Sequence, residues 1–254
     1  MTDKIDILGV QINATTLDLT SQKILNWIEQ RRAAYVCVVP VSTVVECQSR
    51  PDYRKIVNEA DIATPDGMPL VWLGRFKGNK IIQRTYGPDL MLKLCESGQK
   101  QGVKHFFYGG APGVLNQLET RLKNDFSAIH IAGKYSPPFT EQIDTLDDGI
   151  VQEINRLKPD ILWVALGSPK QDFWIYKHRD KLEVPVMLGI GAAFDFLSGA
   201  KRQAPRWIQN AGLEWLFRLC CEPRRLWRRY LVGNSKFIYY LIKEQFQLNK
   251  IKPV

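Results

Sequence analysis

The chain has 254 residues, of which 45% are hydrophobic, and a formal net charge of +9. Its length accommodates one large α/β domain or a domain with an appendage, and its hydrophobic content predicts a substantial core. No uninterrupted apolar stretch approaches the roughly 18 residues of a membrane-spanning helix. Acidic residues in 1–6 stand where a secretory signal would be basic, so we expect neither a spanning segment nor a secretory signal.

The excess of positive charge lies at the C-terminal end. Residues 1–199 carry 23 basic and 23 acidic side chains, whereas residues 200–254 carry 12 basic side chains against 3 acidic ones. The second segment therefore accounts for the whole net charge. This asymmetry indicates an anionic partner for that end of the molecule, either a membrane surface or a nucleic acid.

Cysteine and histidine usage bears on the compartment and on metal binding. The five cysteines form no C-x-x-C motif, and an odd, scattered set is typical of reduced thiols in a cytosolic protein. The three histidines are far apart and form no H-x-x-x-H pattern. No Asp-x-Asp motif, which can hold a divalent ion on a diphosphate, is present. We therefore predict a cytoplasmic protein without a metal site or a resident cofactor.

Predicted strands alternate with predicted helices along most of the chain. After a hairpin at 4–13, the predicted strands are 35–39, 61–63, 104–108, 129–132, 161–165 and 184–190. The predicted helices are 17–31, 44–59, one from about 69, one from about 88 to 98, 112–123, 141–157 and a short one after 169. This alternation implies right-handed crossovers and a Rossmann-like parallel sheet with helices on both faces. We assign this α/β core to residues 1–199 and a basic, helical, amphipathic appendage to residues 200–254.

Asp66 lies at a junction of the kind where α/β proteins bind ligands. The preceding strand stops at Pro65, the chain turns at Gly67, and a helix begins near Pro69. Ligands of open α/β sheets settle just outside the carboxyl ends of the strands. A carboxylate there can act as a general base, and the helix dipole favours its ionised form. The same position is also typical of an N-cap or turn aspartate.

Two other strand-to-helix turns have features of phosphate binding. Gly109, Gly110 and Gly113 would let backbone amides approach a phosphate at a helix N-terminus, although tight turns use glycine in the same way. In residues 167–171, a serine before a proline is a well-formed helix start. Lys170 opposes the helix dipole in that first turn, which favours either a bound anion or exposure to solvent.

The segment 189–199 contains several small residues after a predicted strand. Small side chains permit close approach of the backbone to a ligand or to another helix, and we expect the two phenylalanines of this segment to pack in the core. Asp195 is surrounded by apolar residues and needs a partner. A C-terminal arginine is the candidate for that partner.

Residues 224–231 combine basic and apolar residues at helical spacing. Arg224, Arg225, Arg228 and Arg229 are predicted to share one side of a helix, with Leu226, Trp227, Tyr230 and Leu231 on the other. Such a helix suits a membrane interface. A docked helix with solvated arginines explains the same pattern. Nucleic-acid binding is a third reading, but no recognisable DNA- or RNA-binding module surrounds the patch.

Taken together, these segments resemble the WecG/TagA/CpsF family of bacterial glycosyltransferases (glycosyltransferase family 26). The matching segments run in family order over nearly the whole chain, and their combination is more specific than any one of them. They are residues 58–61, 64–67, 86–90, 107–113, 167–171, 191–196, 202–207, 212–215 and 222–225.

The resemblance implies metal-independent transfer, with inversion, of a hexose-type sugar from a UDP-sugar. The sugars in question are N-acetylmannosamine, a uronic acid or glucose, and the implied acceptor is a saccharide linked to polyprenyl diphosphate. Such enzymes serve cell-surface polysaccharide or teichoic acid synthesis on the inner face of the cell membrane. The resemblance also implies that Asp66 is the catalytic base. No nucleic-acid partner is implied, and association into a homo-oligomer is left open.

The resemblance also implies roles for other residues of this chain. The implied donor-binding residues are Thr64, Gly67, Gly109, Gly110, Gly167, Ser168, Pro169, Lys170, Gln171 and Gly191. The residues implied to meet the acceptor diphosphate or the membrane are Arg206, Arg218, Arg224, Arg225, Arg228 and Arg229. Many members carry a Thr- or Asn-rich polar turn after the second strand. In this chain the corresponding turn is Val-Pro-Val-Ser-Thr, residues 39–43. Ser42 or Thr43 would therefore provide the polar contact of that turn.

Two other classes of function are compatible with parts of the sequence. A nucleotide-dependent oxidoreductase could use the same kind of sheet, but it would need a G-x-G-x-x-G motif near the first strand, which this chain lacks. A non-enzymatic nucleic-acid binder would explain the basic end and would show salt-sensitive affinity for DNA or RNA.

Overall fold

The computed structural model describes residues 3–138 and 148–251. Its strands are β1 Lys4–Ile7, β2 Val10–Asn13, β3 Ala34–Val39, β4 Ile62–Pro65, β5 Lys104–Gly109, β6 His130–Tyr135, β7 Ile161–Ala165 and β8 Val186–Gly189. Its helices up to β8 are α1 Leu17–Glu29, α2 Val41–Ser49, α3 Pro51–Glu59, α4 Met68–Phe76, α5 Gly87–Ser97, α6 Pro112–Asp125, α7 Asp148–Leu157 and α8 Lys170–His178. The remaining helices are α9 Ala193–Leu197, α10 Arg206–Asn210, α11 Glu214–Cys221, α12 Pro223–Trp227 and α13 Gly233–Ile251.

Six strands form one parallel sheet in the order β4-β3-β8-β7-β5-β6, and β1 and β2 form a separate antiparallel hairpin. The predicted hairpin and the predicted parallel sheet are therefore confirmed. Strands β3, β4 and β8 are buried along their whole length. Their nearly continuous apolar sequences suit a sheet that is covered on both faces.

Two apolar cores lie on opposite faces of this sheet. One core joins the hairpin to residues of α2, α3, α7, α8 and α13, and includes Tyr53 and Trp174. The other joins the sheet to α1, α5, α6 and α9, and includes Trp163 and Phe194. The chain after β7 therefore enters a helix on the first face, whereas the chain after β5 enters a helix on the second. A crevice opens between adjacent strands where such connections diverge.

Two predicted elements differ in their bounds from the structure, and a third lies partly outside the described residues. The single helix predicted at 44–59 is two helices, because Pro51 lacks an amide hydrogen and disfavours helical geometry at Arg50, whose φ and ψ are −128° and 87°. The strand predicted at 61–63 is β4, Ile62–Pro65, and it ends at Pro65 as predicted. For the helix predicted at 141–157, the structure gives α7, and residues 141–147 lie outside the described residues.

The C-terminal segment is helical, as predicted, but its faces differ from the prediction. A π-helical turn, Arg228–Val232, joins α12 directly to α13 and rotates the side chains that follow. Leu226 is buried, whereas Trp227 and Leu231 are exposed and Arg229 turns inward. The four arginines therefore do not share one solvent-facing side. The boundary between residues 199 and 200 stays a prediction, and Phe237 of α13 is buried in the first core.

The predicted partner of Asp195 is also corrected. Its carboxylate accepts a hydrogen bond from Lys201 Nζ at 2.5 Å, and the partner is thus a lysine and not an arginine. The lysine follows within six residues, so the turn after α9 brings it back to the carboxylate.

Candidate active site

The carboxyl ends of neighbouring strands bring the sequence motifs to one edge of the sheet. Strand β4 ends at Pro65 beside Val39, the last residue of β3. On the other side of β3, strands β8, β7 and β5 end next to one another, with Ala165 opposite Gly109. Asp66 and the glycine-rich turns, which are far apart in sequence, therefore line the same edge.

Asp66 is half-buried and held between a strand and a helix. Its backbone amide donates to the Val39 carbonyl at 3.1 Å, which fixes the turn after β4 to the adjacent strand. Its Oδ1 accepts a hydrogen bond of 3.3 Å from the amide of Gly87, the first residue of α5. The carboxylate thus lies at a helix N-terminus, where a negative charge is favoured.

Opposing effects act on the protonation of Asp66. Burial raises the pKa of its carboxyl above the ordinary value, and nearby Glu214 acts in the same direction. The Arg84 guanidinium opposes this rise in pKa. A carboxylate with a raised pKa binds a proton more readily, which is the property required of a general base.

Arg84 connects the turn at Asp66 to the C-terminal segment. Its Nε donates to the Asp66 carbonyl oxygen at 2.6 Å, its Nη1 donates to Gln209 Oε1 at 3.1 Å, and its Nη2 donates to Glu214. The Tyr86 hydroxyl donates to the other Glu214 oxygen at 2.8 Å, and the Arg84 guanidinium stacks over the Tyr86 ring. The guanidinium therefore fixes residues of α10 and α11 to the backbone of Asp66.

A cavity of about 840 Å³ opens above Asp66, between the core and the C-terminal helices. Its lining includes the polar side chains of Asp66, Arg84, Glu214, Arg218 and Arg229. Apolar side chains of α4 and α13 form much of the rest of the lining. This volume is in the range of sites that enclose a small ligand.

Two of the six C-terminal arginines with a predicted role line this cavity. Arg229 donates to the Ser42 hydroxyl through Nε at 3.2 Å and through Nη2 at 2.9 Å. Burial lowers the pKa of Arg229, and nearby Arg218 acts in the same direction. Arg218 Nε is buried and has no hydrogen-bond partner among the described residues. Two adjacent cationic groups, one with a spare donor, suit an anionic ligand.

The other four arginines lie outside the cavity lining. Arg206 forms a bidentate ion pair with Asp89 of α5, at 2.7 and 2.8 Å, which fixes α10 to the core. Arg225 is paired with Glu222, and Arg224 and Arg228 are exposed. The six arginines therefore form two sets: Arg218 and Arg229 line the cavity, and the other four do not.

The glycine-rich turns adjoin one another at the ends of β5, β7 and β8. The Gly110 amide donates to the Ala165 carbonyl at 3.3 Å. Gly109 has a φ of +111°, and a Cβ atom there would lie 2.5 Å from the same carbonyl oxygen. Glycine is therefore required at this position by close backbone packing as well as by conformation.

Gln171 forms hydrogen bonds with two of these turns. It is buried, its Oε1 accepts a 2.8 Å hydrogen bond from the Gly191 amide, and its Nε2 donates to Ser168 Oγ at 3.4 Å. It therefore joins the turn after β7 to the turn after β8. Pro169 and Lys170 are half-buried beside it at the start of α8.

The other two implied donor residues come from the Asp66 turn. Thr64 is completely buried, with its hydroxyl directed to the Thr85 carbonyl at 3.4 Å, so its side chain is not in the cavity lining. Gly67 lines the cavity next to Asp66 and caps α4.

Gly87 brings the two groups of turns together. Its amide binds Asp66, and a Cβ atom at this position would lie 3.3 Å from the Ile190 carbonyl oxygen at the end of β8. The Asp66 turn and the turn after β8 are therefore neighbours, with the first turn of α5 between them.

Comparison with known proteins decides the family. A model of the "Glycosyl transferase WecG/TagA/CpsF family" matches residues 5–251. The chain belongs to this family. It is 32% identical over 219 residues to a Bacillus spizizenii relative, covering 86% of this chain and 82% of the relative. A Bacillus subtilis relative is 29% identical over 87% of this chain and 83% of its own length, and a Staphylococcus aureus relative is 26% identical over 99% and 97%.

All three relatives are named N-acetylglucosaminyldiphosphoundecaprenol N-acetyl-beta-D-mannosaminyltransferase. The predicted class of enzyme is therefore confirmed, because this chain is a glycosyltransferase. The alternative of a Rossmann-type oxidoreductase is excluded by the same match.

Sequence reasoning missed several polar residues of this glycosyltransferase site. Arg84, Tyr86 and Glu214 surround Asp66, although no chemical role was predicted for them. Tyr86 and Glu214 lie in segments that resemble the family, residues 86–90 and 212–215. This resemblance was the one sequence feature that could have indicated a role for them. Ser42 lines the cavity, whereas Thr43 is buried and lies 3.3 Å from the Tyr53 hydroxyl. Ser42 is therefore the residue of the 39–43 turn that faces the site.

The described part of the chain has no group of three or more His, Cys, Asp and Glu residues arranged to hold a metal ion. Within residues 3–138 and 148–251, no helix combines the length and the apolar character needed to cross a membrane.

Proposed function

We propose that this glycosyltransferase moves an N-acetylmannosaminyl residue, or a related hexose-type sugar, from a UDP-sugar to N-acetylglucosaminyl-diphospho-polyprenol. The supporting observation is a single cavity in which Asp66 lies near two arginines, Arg218 and Arg229, with an apolar region beyond them. A sugar hydroxyl, a diphosphate and a lipid chain need these three environments within one site. The names of the relatives support the same acceptor and the same sugar.

The proposed chemistry is a single displacement with inversion. Asp66 removes the proton from the acceptor hydroxyl while that oxygen attacks the anomeric carbon of the donor. The bond between that carbon and the diphosphate oxygen breaks, and the electron pair leaves with UDP. Attack from the face opposite to the leaving group inverts the anomeric centre. No metal takes part in this proposal, and cationic and amide groups stabilise the leaving diphosphate instead.

The proposed donor site is the crevice at the ends of β5, β7 and β8. The amides near Gly109 and Gly110 and the start of α8 would meet the diphosphate. Lys170 would contribute a positive charge, and Gln171 would act indirectly by holding the Gly191 turn. Gly87 lies between the turn after β8 and Asp66. This position supports a donor whose anomeric carbon lies next to the acceptor cavity.

The proposed location is the cytoplasmic face of the cell membrane, in peripheral contact with anionic lipid. Arg224, Arg225 and Arg228 are exposed next to Trp227 and Leu231, which are exposed as well. Basic and aromatic side chains at one surface suit the headgroup region of a bilayer. The acceptor is anchored in that bilayer, so this orientation would bring the cavity to its substrate.

The proposal is tested by ligand binding and then by transfer. UDP-sugars are expected to raise the melting temperature more than GDP- or dTDP-sugars, because ligands of the folded state stabilise it. Lys170→Ala and Gln171→Ala should weaken that effect, whereas Lys177→Ala on the same helix serves as the matched control. Mass spectrometry should then show one added N-acetylhexosamine on the lipid-linked acceptor. Absence of any nucleotide-sugar binding, with salt-sensitive binding of DNA or RNA, would support the nucleic-acid alternative.

A further inference from the structure

The apolar end of the Asp66 cavity is a groove between two helices that are distant in sequence. We define the α4–α13 groove by Trp72, Leu73 and Phe76 of α4 and Phe237, Ile238 and Leu241 of α13, all of which line the cavity. Asn234 and Ser235 lie at its side, and the Ser235 hydroxyl is satisfied by the Leu231 carbonyl at 2.8 Å. The groove therefore presents mainly carbon to a ligand.

Three of the six groove side chains are unusually open to solvent for their type. Phe76 is 89% exposed, Ile238 is 57% exposed and Trp72 is 49% exposed. Contiguous exposed apolar surface of this kind marks a binding site more often than a neutral surface. Burial of these side chains by a ligand would be favourable in proportion to the area removed from water.

Gly212 holds one wall of the groove in place. It has a φ of +72°, and a Cβ atom there would lie only 2.6 Å from the Trp72 ring. The turn between α10 and α11 therefore packs directly on one part of the indole, which leaves another part exposed toward the groove. The wall is preorganised by the same segment that carries Glu214.

We propose that the α4–α13 groove binds the first isoprene units of the acceptor's polyprenyl chain, an inference that rests on the proposed function. The groove is continuous with the cationic end of the cavity, where Arg218 Nε is buried without a partner among the described residues. A diphosphate bound by Arg218 and Arg229 would have its sugar near Asp66 and its lipid in the groove. This combination of a carboxylate, two arginines and apolar side chains in one lining matches a prenyl diphosphate and not a free nucleotide or a simple fatty acid.

The length of the groove limits how much of the chain it can hold. Helix α4 covers eight steps from Met68 to Phe76, or about 12 Å at the helical rise. Only the first units of a long prenyl chain would lie against it, and the rest would remain in the bilayer. The groove would therefore extract the diphosphate end of the lipid without removing the whole molecule from the membrane.

The test uses soluble ligands, the full chain and no vesicles. Calorimetry compares farnesyl diphosphate with methyl diphosphate, which share the charged group and differ in the prenyl chain. The wild-type protein should bind farnesyl diphosphate at least about tenfold more tightly. The double variant Phe76→Ser/Ile238→Ser should lose most of this preference, and Phe76→Leu/Ile238→Leu should keep it. Leu19→Ser, an exposed apolar residue of α1, is the matched control and should also keep it.

Two results would overturn this assignment. The first is the absence of a prenyl preference in the wild type, and the second is its persistence in the serine double variant. A wild type without prenyl preference could instead form a dimer that the serine double variant does not form. That result would assign the groove to a second copy of the chain. Binding is measured without donor and without transfer. A failure of the proposed glycosyl transfer would therefore not affect the conclusion about prenyl binding.

Discussion

Arg229 of the C-terminal segment donates two hydrogen bonds to the hydroxyl of Ser42, 187 positions earlier in the chain. Ser42 is in the first turn of α2, directly after the strand that pairs with β4. The contact therefore closes the cavity between the sheet and the C-terminal helices. It also fixes the direction of a guanidinium that would otherwise be free to rotate toward solvent.

If Ser42 aims Arg229 at the acceptor diphosphate, loss of either residue should raise the acceptor KM. We expect Arg229→Gln and Ser42→Ala each to lower kcat/KM for the lipid-linked acceptor, by at least tenfold for the arginine and less for the serine. The double variant should be little worse than Arg229→Gln alone, because the serine acts through the arginine. Steady-state kinetics measures this coupling. Arg156→Gln, which breaks an exposed ion pair on α7, is the control. Fully additive losses would contradict the positioning role of Ser42.

Asp66→Asn should fold normally and lose transfer. The substitution preserves the shape of the side chain, and its amide oxygen can still accept the hydrogen bond from Gly87, but the proton acceptor is removed. Loss of a general base typically lowers the rate by about 10²–10⁴-fold. Single-turnover transfer to a lipid-linked acceptor is the measurement. Asp18→Asn, at an exposed position in the first turn of α1, provides the control for loss of one carboxylate. Near-wild-type turnover in Asp66→Asn would remove this residue from the mechanism.

The parallel sheet could be predicted because each strand and helix is indicated by the residues of its own short segment. Runs such as residues 35–39 and 161–165 are apolar and bounded by turn residues, and their alternation with helices leaves few topologies. Asp66 and the glycine-rich turns could be placed at one edge for the same reason, since the ends of parallel strands meet there. These predictions depend on the order of elements and not on side-chain contacts.

The polar partners of Asp66 could not be predicted in this way. Glu214 reaches Arg84 across 130 positions, and nothing in the spacing of either residue indicates the other. The inward direction of Arg229 depends on the π-helical turn, which shifts the side chains away from the regular spacing of 100° per residue. Long-range pairing and irregular helical geometry are properties of the packed chain.

The ion pair of Arg84 with Glu214 should be worth more than an exposed ion pair. Both side chains are largely buried, so Glu214→Gln would leave the guanidinium without its carboxylate and weaken the acceptor of the Tyr86 hydroxyl. We expect a loss of about 2–3 kcal/mol in the free energy of unfolding. Glu222→Gln removes a carboxylate that is more exposed than Glu214 and also pairs with an arginine, and it should cost no more than about 1 kcal/mol. Urea unfolding measures both. Equal losses in the two variants would contradict a special role for the Arg84 pair.

Asp172 should make the stability of the protein depend on pH. It is buried and accepts a 2.6 Å hydrogen bond from the Tyr53 hydroxyl, and burial raises the pKa of its carboxyl to about 7. The unfolded chain, with a carboxyl pKa of about 4, loses this proton at lower pH. Between these values the folded state binds more protons, so its stability falls as the pH rises toward 7 and then levels off.

Asp172→Asn removes this titration. As the pH rises, the free energy of unfolding of the variant should therefore increase relative to that of the wild type. The difference should grow by about 2 kcal/mol between pH 5 and pH 7. Urea unfolding at several pH values measures it. Asp180→Asn, at an exposed position, should follow the wild-type profile. Parallel profiles for the wild type and Asp172→Asn would show that Asp172 is ionised throughout this range.

The two sets of C-terminal arginines should separate membrane binding from catalysis. Arg224, Arg225 and Arg228 are exposed, and each basic residue near an anionic surface contributes roughly 1 kcal/mol. The triple Gln variant should therefore bind anionic vesicles more weakly, and its residual binding should depend less on salt. Arg229→Gln should bind vesicles almost as well as the wild type, because its side chain is directed to Ser42. Vesicle flotation at several salt concentrations measures both variants. Transfer to a short-chain soluble acceptor should show the reverse order, with the larger loss in Arg229→Gln. If the triple variant floats as well as the wild type, these arginines are merely solvated and the membrane contact lies elsewhere.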